Sequence, residues 1–308
     1  MHGYQLADFG SYTVGGHIHT VSQGTVQTIN FTRDVSFEYD PRGDFAVAHS
    51  YVQYFIPVAR NELPPVVLVH GGGLSGAFWE TTPDGRPGWL HLLLQRGFEV
   101  HVIDLVERGR SGFAPQIFNG EPILRSLNEA WSLFRFGKAE DFAQRKTFNH
   151  CQFPANSLEA LARLFVPRWL GTSAMQVAAV SALLEKLGNS ILICHSQGAE
   201  ISFDAIQCAS ATVSTVIAIE PSSAPQSLDR YGQTTLVIVQ GDYLSINDIW
   251  RSRAASWAAI IAELSVHSPR SALIDLPSTL GSGNTHLPML DNNSDKCLEI
   301  SLQAAGLA

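Results

Sequence analysis

The sequence predicts an α/β domain: a mostly parallel central sheet with helices on both faces and a helical lid insertion. Three observations carry this. Short, continuous apolar runs recur along the chain, helical segments fall between them, and one aromatic-rich stretch interrupts the rhythm. The 308 residues are 45% hydrophobic and 16% charged. That is material for one large core and fits neither a disordered nor a fibrous chain.

Residues 12–21 and 45–56 mix Thr, Val, Tyr and Phe and read as an antiparallel sheet edge. Val66-Val67-Leu68-Val69 is the first fully apolar run, as a strand buried on both faces requires. Similar runs follow at 100–103, 191–193, 216–219, 236–239 and 272–274, the last strand being expected to reach Leu276. Helices are expected at 88–96, at 173–187, at 200–209, at 247–266 and at 291–305. Gly97 and Gly188 stop the first two. Strands alternating with helices favour a parallel sheet. Residues 113–170 carry ten aromatic residues and no buried-strand run. A structureless loop of that length is uncommon in a compact domain. The expected division is therefore a core of 1–112 and 171–308 with a mostly helical lid of 113–170, whose aromatic side chains supply an apolar pocket wall.

The formal net charge of −8 disfavours nucleic acid and anionic membrane surfaces as partners. No apolar run reaches the length of a membrane span. The first residues show neither a basic nor an apolar leader region, so a cytoplasmic enzyme is expected. The four cysteines, Cys151, Cys194, Cys208 and Cys297, are scattered. Their spacing suits no zinc site and reads as free thiols. No metal or organic cofactor is expected. Oligomeric state stays open, and a homodimer is compatible with the sequence.

The chemistry concentrates in Ser190-Ile191-Leu192-Ile193-Cys194-His195-Ser196-Gln197-Gly198-Ala199-Glu200. A buried strand runs into a helix through a tight turn with Ser196 at its apex, the context of a nucleophile elbow. Such a turn crowds its neighbours, so small residues are wanted two before and two after. Here they are Cys194, in place of the usual glycine, and Gly198. Acyl transfer also needs donors for the oxyanion. One is the backbone N–H of Gln197. The second belongs to His70-Gly71-Gly72-Gly73-Leu74 after an earlier strand, with Gly72 the first choice and Gly73 the alternative. No G-K-[ST] follows, which removes a phosphate loop. The base is expected on the loop after the last strand, where Asn284-Thr285-His286-Leu287 supplies His286. His267 reads instead as a helix C-terminal charge. Two acids compete, Glu220 and Asp242, each at the carboxyl end of a strand where α/β sites assemble. Spacing favours neither.

Further blocks carry a family resemblance: His70-Gly71-Gly72-Gly73-Leu74-Ser75-Gly76, Trp79-Glu80-Thr81-Thr82-Pro83-Asp84-Gly85-Arg86, Gly88-Trp89, Ile103-Asp104 with Gly109-Arg110-Ser111, Cys194 to Gly198, and Ile219-Glu220-Pro221. Together they resemble the bacterial esterase 713-like members of the α/β-hydrolase superfamily, over roughly residues 10–300. The resemblance implies an α/β-hydrolase fold and a Ser–His–Glu triad of Ser196, His286 and Glu220. It also implies oxyanion donors at Gly72 and Gln197. The related esterase has two adjacent cysteines where this chain has Gly72 and Gly73, so a vicinal disulfide is impossible here and a more flexible loop is expected. Trp79 and Trp89 are expected to brace this loop. Glu107-Arg108-Gly109-Arg110 is expected to be a salt-bridged surface turn.

The reaction expected from these residues is hydrolysis of a carboxylic ester or lactone of a small, hydrophobic molecule through an acyl-enzyme. The rival on the same fold is a lyase, cyclase or isomerase that uses His286 as a base.

Overall fold

The computed structural model describes residues 3–114, 116–118, 120–268 and 270–308. Ten strands and eight α-helices follow in chain order among them. The N-terminal part contains β1 (Leu6–Val21), β2 (Gln27–Asn30), β3 (Ser36–Tyr39), β4 (Gly43–Pro57) and β5 (Val66–Val69). Then come α1 (Trp89–Gln95), β6 (Val100–Asp104), α2 (Leu127–Leu133), α3 (Leu158–Ala162) and α4 (Ser173–Leu187). The C-terminal part holds β7 (Ser190–His195), α5 (Gln197–Cys208), β8 (Val213–Ile219), β9 (Thr235–Gln240), α6 (Asp248–Leu264), β10 (Ala272–Asp275), α7 (Leu276–Leu280) and α8 (Ser294–Ala304).

Eight strands form one sheet in the order β1-β4-β6-β5-β7-β8-β9-β10. β1 and β4 pair antiparallel along most of their length, and β4 runs antiparallel to β6. Every pair from β6 to β10 is parallel. The apolar runs occupy the middle of this sheet, where both faces are covered. Side chains alternate between faces along a strand. Val66 and Leu68 of β5 therefore join the layer under α1 and α8, with Leu93 and Leu298. Val67 and Val69 join the opposite layer with Leu183 of α4, Ile201 of α5 and Trp257 of α6. Local signals set the helix ends. Asn247 accepts the Trp250 N–H at the start of α6, and Gly188 closes α4 with φ 71°.

One element was not expected, and two expectations need correction. The hairpin β2–β3 carries no apolar run and is exposed, so nothing in its pattern announced it. Leu276, expected to end the last strand, starts α7 instead, because Asp275 caps a new helix by accepting the Ser278 N–H. Residues 113–170 are less regular than a mostly helical lid. Among the described residues of that stretch only α2, α3 and two 3-10 turns are helical; Pro115 and Asn119 lie outside the described residues. Arg135, Arg145 and His150 take φ of 61°, 52° and 65°, which no helix accommodates. Trp131, Phe136 and Phe153 turn into the same apolar layer as Val66 and Trp89. These three side chains belong to the main core.

Candidate active site

All six positions of β7 are buried, and the chain turns directly from His195 through Ser196 into α5. Ser196 sits at φ 50° and ψ −118°, a conformation that side-chain-bearing residues rarely hold. Its neighbours fix it there. Ser196 N–H donates to Ile219 O at 3.0 Å, and Ser196 O accepts from Ser222 N at 3.1 Å. Gly198 has no room for a side chain, since a Cβ would stand 2.3 Å from His70 O. Cys194 fits on the other side of the turn. It is fully buried, and that burial pushes its thiol up to about 12, so it packs as a small neutral group.

Ser196, His286 and Glu220 lie in one hydrogen-bonded line. His286 Nε2 is 3.1 Å from Ser196 Oγ, and His286 Nδ1 is 3.1 Å from Glu220 Oε2. A carboxylate only accepts, so Nδ1 carries the proton and Nε2 is left to accept from the serine hydroxyl. Burial pushes the His286 imidazole down, and the attraction of Glu220 only partly offsets this, leaving it at about 4. The ring is thus neutral at pH 7. Burial raises Glu220, but the Arg135 guanidinium and then His286 outweigh it and hold the carboxyl at about 2.

Arg135 was not anticipated. It is fully buried and donates to both Glu220 oxygens, at 2.9 and 2.7 Å, and through Nε to Asp242 O at 2.8 Å. The only hint in the sequence is a charge set between Phe134 and Phe136 in an aromatic stretch. A buried guanidinium needs a carboxylate, but nothing local says which. Phe134 stacks on His286 at 5.8 Å between centroids, and its carbonyl accepts the His286 N–H at 3.0 Å. Asp242 stands apart from this line. Its carboxylate accepts from the N–H groups of Tyr243 and Gly283 and so ties down the loop that leads to His286.

The glycine loop after β5 lies across the elbow. Gly71 is required, because a Cβ there would meet His195 Nδ1 at 2.6 Å. Gly72 and Gln197 both line the cleft above Ser196. The Gln197 N–H is the first of α5 and has no carbonyl one helical turn before it to bond. Gly73 takes φ 73° and gives its carbonyl to Val166 N at 2.9 Å, anchoring the loop to the 113–170 stretch. His70 donates from Nδ1 to Gly71 O at 2.9 Å and accepts Leu105 N–H at Nε2, 3.1 Å away.

Trp79 and Trp89 pack in the core, and the hydrogen bond of Trp89 runs to the turn beyond His286 and not to the glycine loop; of the expected surface turn, Glu107 and Arg108 are buried while Arg110 is exposed and pairs with Asp104. Trp79 and Trp89 are fully buried, with centroids 5.9 Å apart. Trp89 Nε1 donates to Ser294 O at 3.0 Å, while Arg86 donates to Leu290 O at 3.0 Å and Asp291 O at 3.0 Å. The Trp-Glu-Thr-Thr-Pro-Asp-Gly-Arg block thereby clamps the turn beyond His286. Asp291 holds that turn from within, accepting from Thr285 N and Thr285 Oγ1 at 2.8 Å each. The Glu107–Arg108 pair is fully buried. Glu107 also accepts from Trp169 N, Thr172 and Gln176, which explains why it left the surface. The four cysteines are free.

The cleft over Ser196 encloses about 340 Å³. Leu74, Leu133, Phe134 and Trp250 form its apolar wall, and Arg125, Arg168 and Arg253 also line it. Among the ten aromatic residues of 113–170, Phe134 is the one that lines this cleft. The expected aromatic wall is thus mostly spent on core packing, and the three arginines were missed. Among the described residues no group of three or more His, Cys, Asp or Glu could hold a metal ion, and no helix is long and apolar enough to cross a membrane.

Comparison with known proteins agrees with this architecture. A solved structure described as a novel bacterial esterase superposes with a TM-score of 0.87 at 29% identity, over 100% of this chain and 98% of that one. A fungal protein named "Probable secreted lipase phiG", from Fungal sp. (strain ATCC 74256), is 28% identical over 189 residues. That match covers 57% of this chain and half the length of the relative. The alpha/beta hydrolase family matches residues 66–296. With three-quarters of its length matched and an eight-stranded sheet of this order, the chain belongs to the alpha/beta hydrolase family.

Proposed function

We propose that this protein is a serine hydrolase of carboxylic esters or lactones, working through an acyl-enzyme. The observation that carries the reading is the line Ser196–His286–Glu220, with its two 3.1 Å steps, opening on a cleft. The likeness to proteins described as an esterase and a lipase supports it.

In this reading neutral His286 takes the Ser196 proton as Oγ attacks the substrate carbonyl. The N–H groups of Gly72 and Gln197 receive the developing oxyanion. His286 then protonates the leaving alcohol. Water, deprotonated by the same ring, releases the acid and restores the serine. Glu220 fixes the ring's tautomer and stabilises the imidazolium. Arg135 is a positioning residue that holds Glu220. The 113–170 stretch acts as a fixed wall of the substrate site. The test is a panel of esters and lactones of graded acyl length, run beside variants. Ser196→Ala and His286→Ala are expected to lower kcat by about 10³-fold or more, with Glu220→Gln losing less. Undiminished turnover by Ser196→Ala would remove the reading. A product of unchanged mass would point to isomerase or cyclase chemistry instead.

A further inference from the structure

Arg125, Arg168 and Arg253 line one small cleft of a chain whose formal net charge is −8. Glu200 is the acidic side chain on the same walls, and one of its oxygens accepts from Ser222 at 2.6 Å. The arginines are not equivalent. Arg253 lies over the Trp250 ring at 4.8 Å. Arg125 pairs with Glu129 in the first turn of α2, yet its own Nε is buried with no hydrogen-bond partner among the described residues. Arg168 makes no ion pair among the described residues, and its Nε is likewise buried without a partner. Its Nη1 comes within 2.9 Å of the place where a Cβ on Gly72 would stand, beside the proposed oxyanion loop.

The backbone ties together the two segments that carry these guanidiniums. Ile123 and Arg168 exchange backbone hydrogen bonds at 2.8 and 3.0 Å, Arg125 stands two residues beyond this bridge, and both arginines line the cleft. Val166 N is tied to Gly73 O, so the support is fixed to the glycine loop. Two like charges kept close and partly out of water cost free energy. Burial pushes the Arg125 guanidinium below its ordinary value; Glu129 offsets part of this, and the neighbouring Arg168 pushes it down further. A carboxylate between them would relieve the repulsion and occupy the idle donors, and planar guanidiniums match carboxylates in geometry.

We propose that Arg125 and Arg168 form a subsite for a carboxylate carried by the substrate. The preferred ester then bears an acid group besides its scissile bond, with its hydrocarbon part against Leu133 and Phe134. This rests on the serine-hydrolase reading above.

The test compares kcat/KM for matched pairs, mono-p-nitrophenyl adipate against p-nitrophenyl hexanoate and 4-carboxyphenyl hexanoate against phenyl hexanoate. Adipate binding to Ser196→Ala is measured in parallel by calorimetry, with dimethyl adipate as the neutral control. The expected result is a preference of about tenfold or more for the charged member of at least one pair. The ratio falls toward one in Arg168→Gln and is partly kept in Arg168→Lys, with circular dichroism reporting the fold of each variant. Ser196-dependent turnover with no preference, or a preference that survives Arg168→Gln, overturns the subsite and leaves the hydrolase reading standing. Absence of Ser196-dependent turnover of any ester removes the hydrolase reading. Adipate binding that weakens in Arg168→Gln would still support the subsite in that case, and no adipate binding would overturn it.

Discussion

His286 is a buried imidazole facing a carboxylate, and the two influences on its proton oppose each other. Burial wins, so the free ring is neutral well below the ordinary value of 6.5. A base works in its neutral form, so activity is lost only as pH falls through that lowered value. The acid limb of kcat/KM is therefore expected below 6.5, and a half-point at or above it would contradict this electrostatic account. Arg135 explains the other end of the line. Arg135→Met leaves Glu220 buried without its bidentate partner and is expected to cost roughly 3–5 kcal/mol, read from denaturant midpoints. Arg135 also pushes His286 down, so the acid limb of this variant should move up in pH. Ser196 and His286 were legible because a strand, a turn and a helix announce the first, and position after the last strand announces the second. Glu220 and Asp242 could not be separated by spacing, since both end neighbouring strands. Backbone direction separates them: Glu220 takes φ 49° and faces His286, while Asp242 turns to Gly283. Arg135 meets an acid 85 residues away, a distance that no local pattern spans.

At the scale of elements, the elbow depends on α5 approaching the end of β5 backbone to backbone at Gly198. Gly198→Ala places a methyl against a carbonyl that cannot swing aside. It is expected to destabilise by about 1–3 kcal/mol and to reduce turnover, while Ala199→Gly, outside that contact, should not reproduce the loss of turnover. The buried strands were readable because a short apolar run with no polar alternation suits a strand covered on both faces. The β2–β3 hairpin was not, because four-residue strands facing water need no apolar residue. The 113–170 stretch misled for a related reason. Its aromatic residues suggested a helical lid with an apolar pocket wall, whereas positive φ at Arg135, Arg145 and His150 marks an irregular chain that sends Trp131, Phe134, Phe136 and Phe153 to the core.

For the whole molecule, the consequence is that the wall of the cleft and the sheet share one apolar layer. Trp131 packs in the same cluster as Trp89 and Leu298. Trp131→Ala is expected to lower global stability by about 3–5 kcal/mol in a single unfolding transition. A separate early transition confined to 113–170 would show an independent lid instead. The fold places one serine hydroxyl beside one neutral ring. The most direct measurement is the intact mass of the enzyme after a fluorophosphonate probe, followed by peptide mapping. One adduct is expected, on the peptide containing Ser196, with ester turnover lost in proportion to labelling. An adduct on another residue, or full turnover by enzyme labelled at Ser196, would contradict the assignment of Ser196 as the nucleophile.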